Sequence, residues 1–143
     1  VIGTLFSWDT TRQSGPEPII EQLMTAADPS GEEAPGLYQD LGRYLPTAEQ
    51  WRQLREDETR QLLTGVTLTV PQEWKAIAAD PANKLAEGTV ALTVDATRVR
   101  EGGWDGEDTR DESPLEFTMF LSCPPATEQC VLLRLSALGS TLR

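Results

Sequence analysis

The chain reads as an α+β domain of two layers: three N-terminal helices packed on one face of a curved four-stranded antiparallel sheet. Two observations predict this. Up to about residue 57 the apolar residues recur at helical spacing, and beyond residue 60 they alternate with period two. The last three strand segments are also joined by short connections, which favour antiparallel neighbours. A length of 143 residues fits one domain, spanning 1–143, with enough chain to bury about two thirds of its unfolded surface.

The helices come first. "PEPIIEQLMTAAD" places Ile19, Ile20, Leu23, Met24 and Ala27 on one stripe, with Ser14 and Glu17 resembling a capping box ahead of it. "PSGEEAPG" (29–36) reads as a loop. "LYQDLGRYL" repeats the stripe through Leu37, Tyr38, Leu41, Tyr44 and Leu45, and Pro46 ends it. Thr47 and Gln50 form a second capping box, leading into "AEQWRQLRED" with Trp51 and Leu54 inward.

The strands follow. "TRQLLTGVTLTV" alternates through Val66, Leu68 and Val70. "PQEWKAIAADPAN" interrupts with one or two helical turns, Trp74 and Ile77 packing inward. "GTVALTVDATRV" sets Val90, Leu92, Val94 and Ala96 against Thr89, Thr93, Asp95 and Thr97. "LEFTMFLSC" puts Leu115, Phe117, Met119, Leu121 and Cys123 on one face, and "CVLLRLSAL" does the same for Val131, Leu133, Leu135 and Ala137. This element order matches a cystatin-like, nuclear-transport-factor-two-like cone.

Cys123 and Cys130 are the two cysteines of the chain and flank the turn "PPATEQ". A redox pair is usually C-x-x-C at a helix N-terminus, whereas this spacing lies between strands. Two cysteines without histidine cannot complete a tetrahedral zinc site. The reading is a disulfide across a hairpin, which forms in an oxidising compartment; the alternative is two buried thiols in a reducing one. If the cysteines face each other, the regular ladder sets Met119 against Arg134 and Phe117 against Ser136. A β-bulge, or apolar cover on both faces of the sheet, is therefore expected.

The charge is −11, from 23 acids and 12 bases, so phosphate backbones and anionic membranes should be repelled. There is no histidine, which removes the commonest general base and metal ligand. No apolar run approaches the roughly 18 residues of a membrane helix, so the stretch given reads as soluble. It opens at Val1 rather than Met, as expected where a signal peptide, membrane anchor or tag has been removed.

Two places invite chemistry. "REGGWDGEDTRDESP" (100–114) reads as a glycine-rich loop carrying Glu101, Asp105, Glu107, Asp108, Asp111 and Glu112. Counted from Asp105, Arg110 falls where a calcium loop needs glycine, so no metal is expected. The loop is either a solvated acidic tip or a docking surface anchored by Trp104 beside Asp105, Glu107 and Asp108; Trp104 could instead fold back over the sheet. Asp95, with Thr93 and Thr97 beside it, could line a pocket of the cone. With Tyr38 or Tyr44 as oxyanion donor it could move protons, or it could simply face solvent on the polar side of its strand.

Several stretches together resemble a family. These are Tyr44, Leu45, Pro46, Trp51 and Arg52 of "YLP…W…R", "TRQ" followed by "VTLTVPQEW", "GTVALTVDATRVREGGWDGE" and "FTMFLSCPPATEQCVLLRLSAL". They look like the extracytoplasmic domain of a Gram-positive, actinobacterial conjugal transfer protein, one of the bitopic scaffolds of type IV secretion machines. The resemblance covers about residue 36 onward. It implies a single N-terminal membrane anchor upstream, a position outside the cytoplasmic membrane, and a non-enzymatic role. The implied partners are other channel proteins and copies of itself, with no direct contact to nucleic acid and no cofactor.

Overall fold

The computed structural model describes residues 1–143. Its sheet has five strands in the order β1-β2-β3-β4-β5, every neighbouring pair antiparallel. A short helix α1 (Ile2–Phe6) and a two-residue strand β1 (Trp8–Asp9) precede the three expected helices, α2 (Glu17–Met24), α3 (Ala34–Tyr44) and α4 (Ala48–Glu56). Then come β2 (Arg60–Thr69), α5 (Gln72–Ala79), a 3₁₀ turn at Pro81–Asn83, β3 (Thr89–Trp104), β4 (Glu107–Ser122) and β5 (Val131–Leu135). The α+β class is as read from the sequence, but the sheet has a fifth strand and the first thirteen residues are structured. Elements this short leave no periodicity to read. They are held by tertiary contacts: Trp8 lies opposite Gln61, Arg55 Nε donates to the Thr10 carbonyl at 2.7 Å, and Trp51 Nε1 donates to the Gln13 carbonyl at 3.2 Å.

The capping box before α4 is complete. Gln50 N–H donates to Thr47 Oγ1 at 3.1 Å, and Thr47 N–H donates to Gln50 Oε1 at 2.9 Å. The one expected before α2 is absent. Pro16 occupies the N-cap, no side chain caps the helix, and Ser14 falls too early to reach it.

One core lies between the helices and the sheet. Ile19, Ile20 and Leu23 of α2, Leu37 and Leu41 of α3, and Trp51 of α4 meet Val94, Leu115, Phe117 and Met119, joined by Leu132 and Leu135. Phe117 sits at its centre, with ring centroids 5.3 Å from Phe6 and 5.4 Å from Tyr44. Burying a side chain of this size contributes about 2–3 kcal/mol, so apolar area is the larger part of what holds the helical stripes to the sheet.

The expected irregularity of the last hairpin is present. Leu121 lies opposite Leu132 while Phe120 lies opposite Arg134, which leaves Leu133 as the extra residue of a bulge in β5. The bulge changes the strand's phase. Leu132 and Leu135 face the helices, in place of the expected series Val131, Leu133, Leu135. The opposite face of the sheet is also covered in part. Trp74 of α5 meets Phe120 edge-to-face, ring centroids 5.9 Å apart, and the C-terminal tail crosses β3 and β4, where Thr93 Oγ1 donates to the Leu142 carbonyl at 2.7 Å.

Candidate functional site

The hairpin β3–β4 carries the sequence candidates at its two ends and in its middle. At one end stands the disulfide. Cys123 and Cys130 are bonded, their Cα atoms 4.0 Å apart, just beyond the last pair Ser122–Val131. A closed loop between adjacent strands is geometrically easy, and such bonds persist outside the reducing cytosol. The pair is consistent with an extracytoplasmic or secreted protein. No helix is long and apolar enough to cross a membrane.

At the other end, the segment read as a loop is mostly paired strand. β3 and β4 pair without interruption from Thr89–Ser122 to Trp104–Glu107. The turn itself is Asp105-Gly106, both residues with positive φ (53° and 79°), the backbone a two-residue hairpin turn requires. "WDGE" carries that signal in the sequence; the density of acids around it obscured it. Gly102 lets the arm approach α4 closely, because a Cβ there would stand 2.7 Å from the Asp57 carbonyl. Gly103 N–H donates to the same carbonyl at 2.7 Å, so the tip is braced against the end of the helix.

Among the acids of this hairpin, Glu101 accepts from Arg60 at 2.9 Å and Arg110 at 3.0 Å, and Arg110 also reaches Glu112 at 2.8 Å. Hydrogen bonds and charge from these arginines hold the Glu101 carboxyl below its ordinary value. Asp105, Glu107 and Asp108 are exposed and make no ion pair. No three acids or cysteines converge where they could hold a metal ion. Trp104 stays 66% exposed rather than folding onto the sheet.

Asp95 lies mid-strand, on the face away from the helices. Its neighbours there are Thr93, which is buried beneath the tail and bonded to Thr118, and Thr97, which is half-buried. Arg143 grips Asp95 with two hydrogen bonds of 2.9 Å each and also reaches Glu116. Those bonds are the main reason the Asp95 carboxyl is held below the ordinary carboxylate range. A general base for work near neutral pH needs the opposite shift. The two tyrosines stand elsewhere. Tyr44 packs on Phe117 in the helix-facing core and donates to the Ser136 carbonyl, its phenol pushed far up mainly by burial. Tyr38 is exposed beside Glu17. The structure therefore brings Thr93 and Thr97 to Asp95, but neither tyrosine.

Two features escaped the sequence reading. Asp40 is 3% exposed on the core side of α3, where it accepts from Arg134 Nε at 2.6 Å, Arg134 Nη2 at 3.1 Å and the Leu135 N–H at 3.1 Å. Burial alone would raise its carboxyl, but these donors and the charges of Arg134 and Arg43 bring it below its ordinary value. Its signal is an acid at a core position of the Leu37–Leu41 stripe. The second feature is the outer side of β2. β1 pairs only with Arg60 and Gln61, so the rest of the strand, to Thr69, has β3 on one side and no strand on the other.

No protein-family model matches the chain, and no curated protein or solved structure matches it.

Proposed function

We propose that this chain is an extracytoplasmic assembly domain that works by binding other proteins rather than by catalysis. In this reading it is a scaffold component of a conjugative type IV secretion channel, with the curled sheet and its helices as a cystatin-like cone. The observation that carries it is the state of Asp95. The carboxylate most able to do acid–base chemistry is engaged by Arg143 on an open face. The groups left unsatisfied are instead apolar and exposed, Trp104 at the hairpin tip foremost among them at 66% exposure. Aromatic anchors beside polar groups are what protein interfaces use. The disulfide supports a position outside the cytoplasm. The resemblance described above supplies the conjugative setting and the single membrane anchor. The charge of −11 argues against direct contact with the transferred strand.

Crosslinking in the native host tests the reading, with a photoreactive group in place of Trp104. Capture of a transfer ATPase or another membrane component of the channel is the expected result. Capture of nothing, together with a small molecule that co-purifies with the chain, would replace the scaffold by a ligand-binding domain built around Asp95.

A further inference from the structure

The open edge of β2 has an unusual sequence. Residues 66–70 read Val-Thr-Leu-Thr-Val, the same in both directions. Alternation puts Leu68 on one face and Thr67 and Thr69 on the other, with the apolar Val66 in the bulge just before them and Val70 just past the end of the strand. All three apolar side chains are exposed, at 43%, 50% and 46%. Sheet edges of this kind are normally blunted by charge, by proline or by a covering element. Here the run from Gln61 to Gln72 contains no charged residue at all, in a chain of net charge −11.

We infer that β2 is a homodimerisation edge: two copies of this chain pair antiparallel through residues 66–70, about a two-fold axis at Leu68. A two-fold contact joins a surface to itself, so each residue meets its counterpart reflected through the axis. With Leu68 on the axis, Leu68 faces Leu68 of the second copy, Thr67 faces Thr69, and Val66 faces Val70. A palindrome is the sequence for which that register places like on like at every rung. Leucine meets leucine on one face of the ladder and hydroxyls meet on the other, and both kinds of cross-strand pair are favourable. The next rung sets Gly65 against Pro71, which lacks an N–H, so the ladder ends there at both sides.

The lone irregularity of β2 lies at the same place. The register slips by one residue between Thr64 and Thr67, with Gly65 at a φ of +61°, so the strand turns at the start of the palindrome. Charge also selects the occupant. Two chains this acidic repel at most places on their surfaces, and the uncharged edge is where they can approach. An acidic chain recruiting a basic foreign strand would instead be expected to display carboxylates along the edge. The joined sheets would run to ten strands.

Five rungs span about 17 Å, and such a contact falls short of the roughly 1,200 Å² that stable interfaces bury. The dimer is therefore concentration-dependent. It gives the self-association implied by the resemblance a definite surface, yet its test is separate, since a chain that pairs through β2 need not belong to a transfer channel.

Sedimentation equilibrium of the purified chain from about 10 μM to about 1 mM tests it. The apparent mass should climb from monomer toward dimer. Leu68→Lys sets two ammonium groups against each other on the axis and should weaken association at least about tenfold. Leu68→Glu should do the same, and an equimolar mixture of the two variants should recover the dimer, which also shows that both are folded. Leu68→Cys should join covalently to itself under mild oxidation, whereas Leu62→Cys on the same strand should not. A wild-type chain that stays monomeric throughout overturns the inference and leaves the edge to a foreign strand. A dimer that survives Leu68→Lys overturns it equally, by placing the contact elsewhere.

Discussion

At one edge of the sheet β5 is bridged, pinned and stapled, while at the other β2 is bare along most of its length. The β5 edge is met by the segment after α2. Ala27 forms a parallel bridge to Leu132, the Leu132 N–H donates to the Ala26 carbonyl at 2.9 Å, and the Leu132 carbonyl accepts from Asp28 N–H at 3.1 Å. Asp40 takes the Leu135 N–H and the Arg134 side chain, and the Cys123–Cys130 bond ties the start of the strand to its neighbour. The β2 edge has β1 over two residues and no partner beyond. The contrast teaches that the fold can close an edge with local material and has done so only once.

The sharpest way to break the contrast is to truncate matching leucines. Leu132 is 1% exposed in the closed edge, so Leu132→Ala should cost about 3 kcal/mol in urea unfolding, through lost burial and the cavity left behind. Leu68→Ala should stay within about 0.5 kcal/mol of wild type in the monomer. Comparable losses at the two sites would mean that the edges do not differ as described.

Removing the staple comes next. Replacing Cys123 and Cys130 together by Ala frees a closed loop of about eight residues, and loop-closure entropy puts the loss at about 2.5 kcal/mol or less. The same value should appear on adding reductant to the wild-type chain. Mass spectrometry without reductant should find the oxidised form, lighter by one pair of hydrogens. Two free sulfhydryls would remove the support for an oxidising compartment.

The anchor of the closed edge is Asp40, and its effect should depend on pH. Its folded carboxyl titrates below the ordinary range. Its contribution is therefore complete above the unfolded value of about 3.9 and is lost as pH falls through the lower folded value. Asp40→Asn should cost about 2 kcal/mol at neutral pH, because Arg134 and the Leu135 N–H keep only a neutral acceptor. The difference between variant and wild type should be smaller in acid than at neutral pH, shrinking as pH falls through the lowered folded value. Equal differences at both pH values would show that the charge is immaterial and only the shape matters.

How much of this was legible follows the same division. Long, regular patterns read correctly: three helical stripes, the alternation of β3 and β4, and a hairpin closed by two cysteines. The β5 bulge was legible as a conflict, since pairing Cys123 with Cys130 set Arg134 against Met119 and something had to give. What did not read were features made by contact between distant residues. Thr10 and Gln13 hold the N-terminal segment through Arg55 and Trp51, and Arg143 travels across the sheet to neutralise Asp95. No local pattern encodes such partners. The hairpin tip lies between these cases, since Asp105-Gly106 is a turn signal and strand pairing then follows outward from it. The candidate site was legible as a set of residues, but the state of Asp95 was not.

The smallest effect bears on the open edge itself. Leu68→Lys adds a charge to a half-exposed position with a free outer side, so the dilute monomer should unfold within about 0.5 kcal/mol of wild type. That near-silence carries information when it is set beside concentration. At high concentration the wild type should gain thermal stability from mass action, since anything that binds only the folded state raises its melting temperature. The lysine variant should not. Melting curves of both chains, recorded across a dilution series, should diverge at the concentrated end and merge at the dilute end. Curves that run parallel would show that Leu68 joins no second copy, and would leave the open edge to a foreign strand.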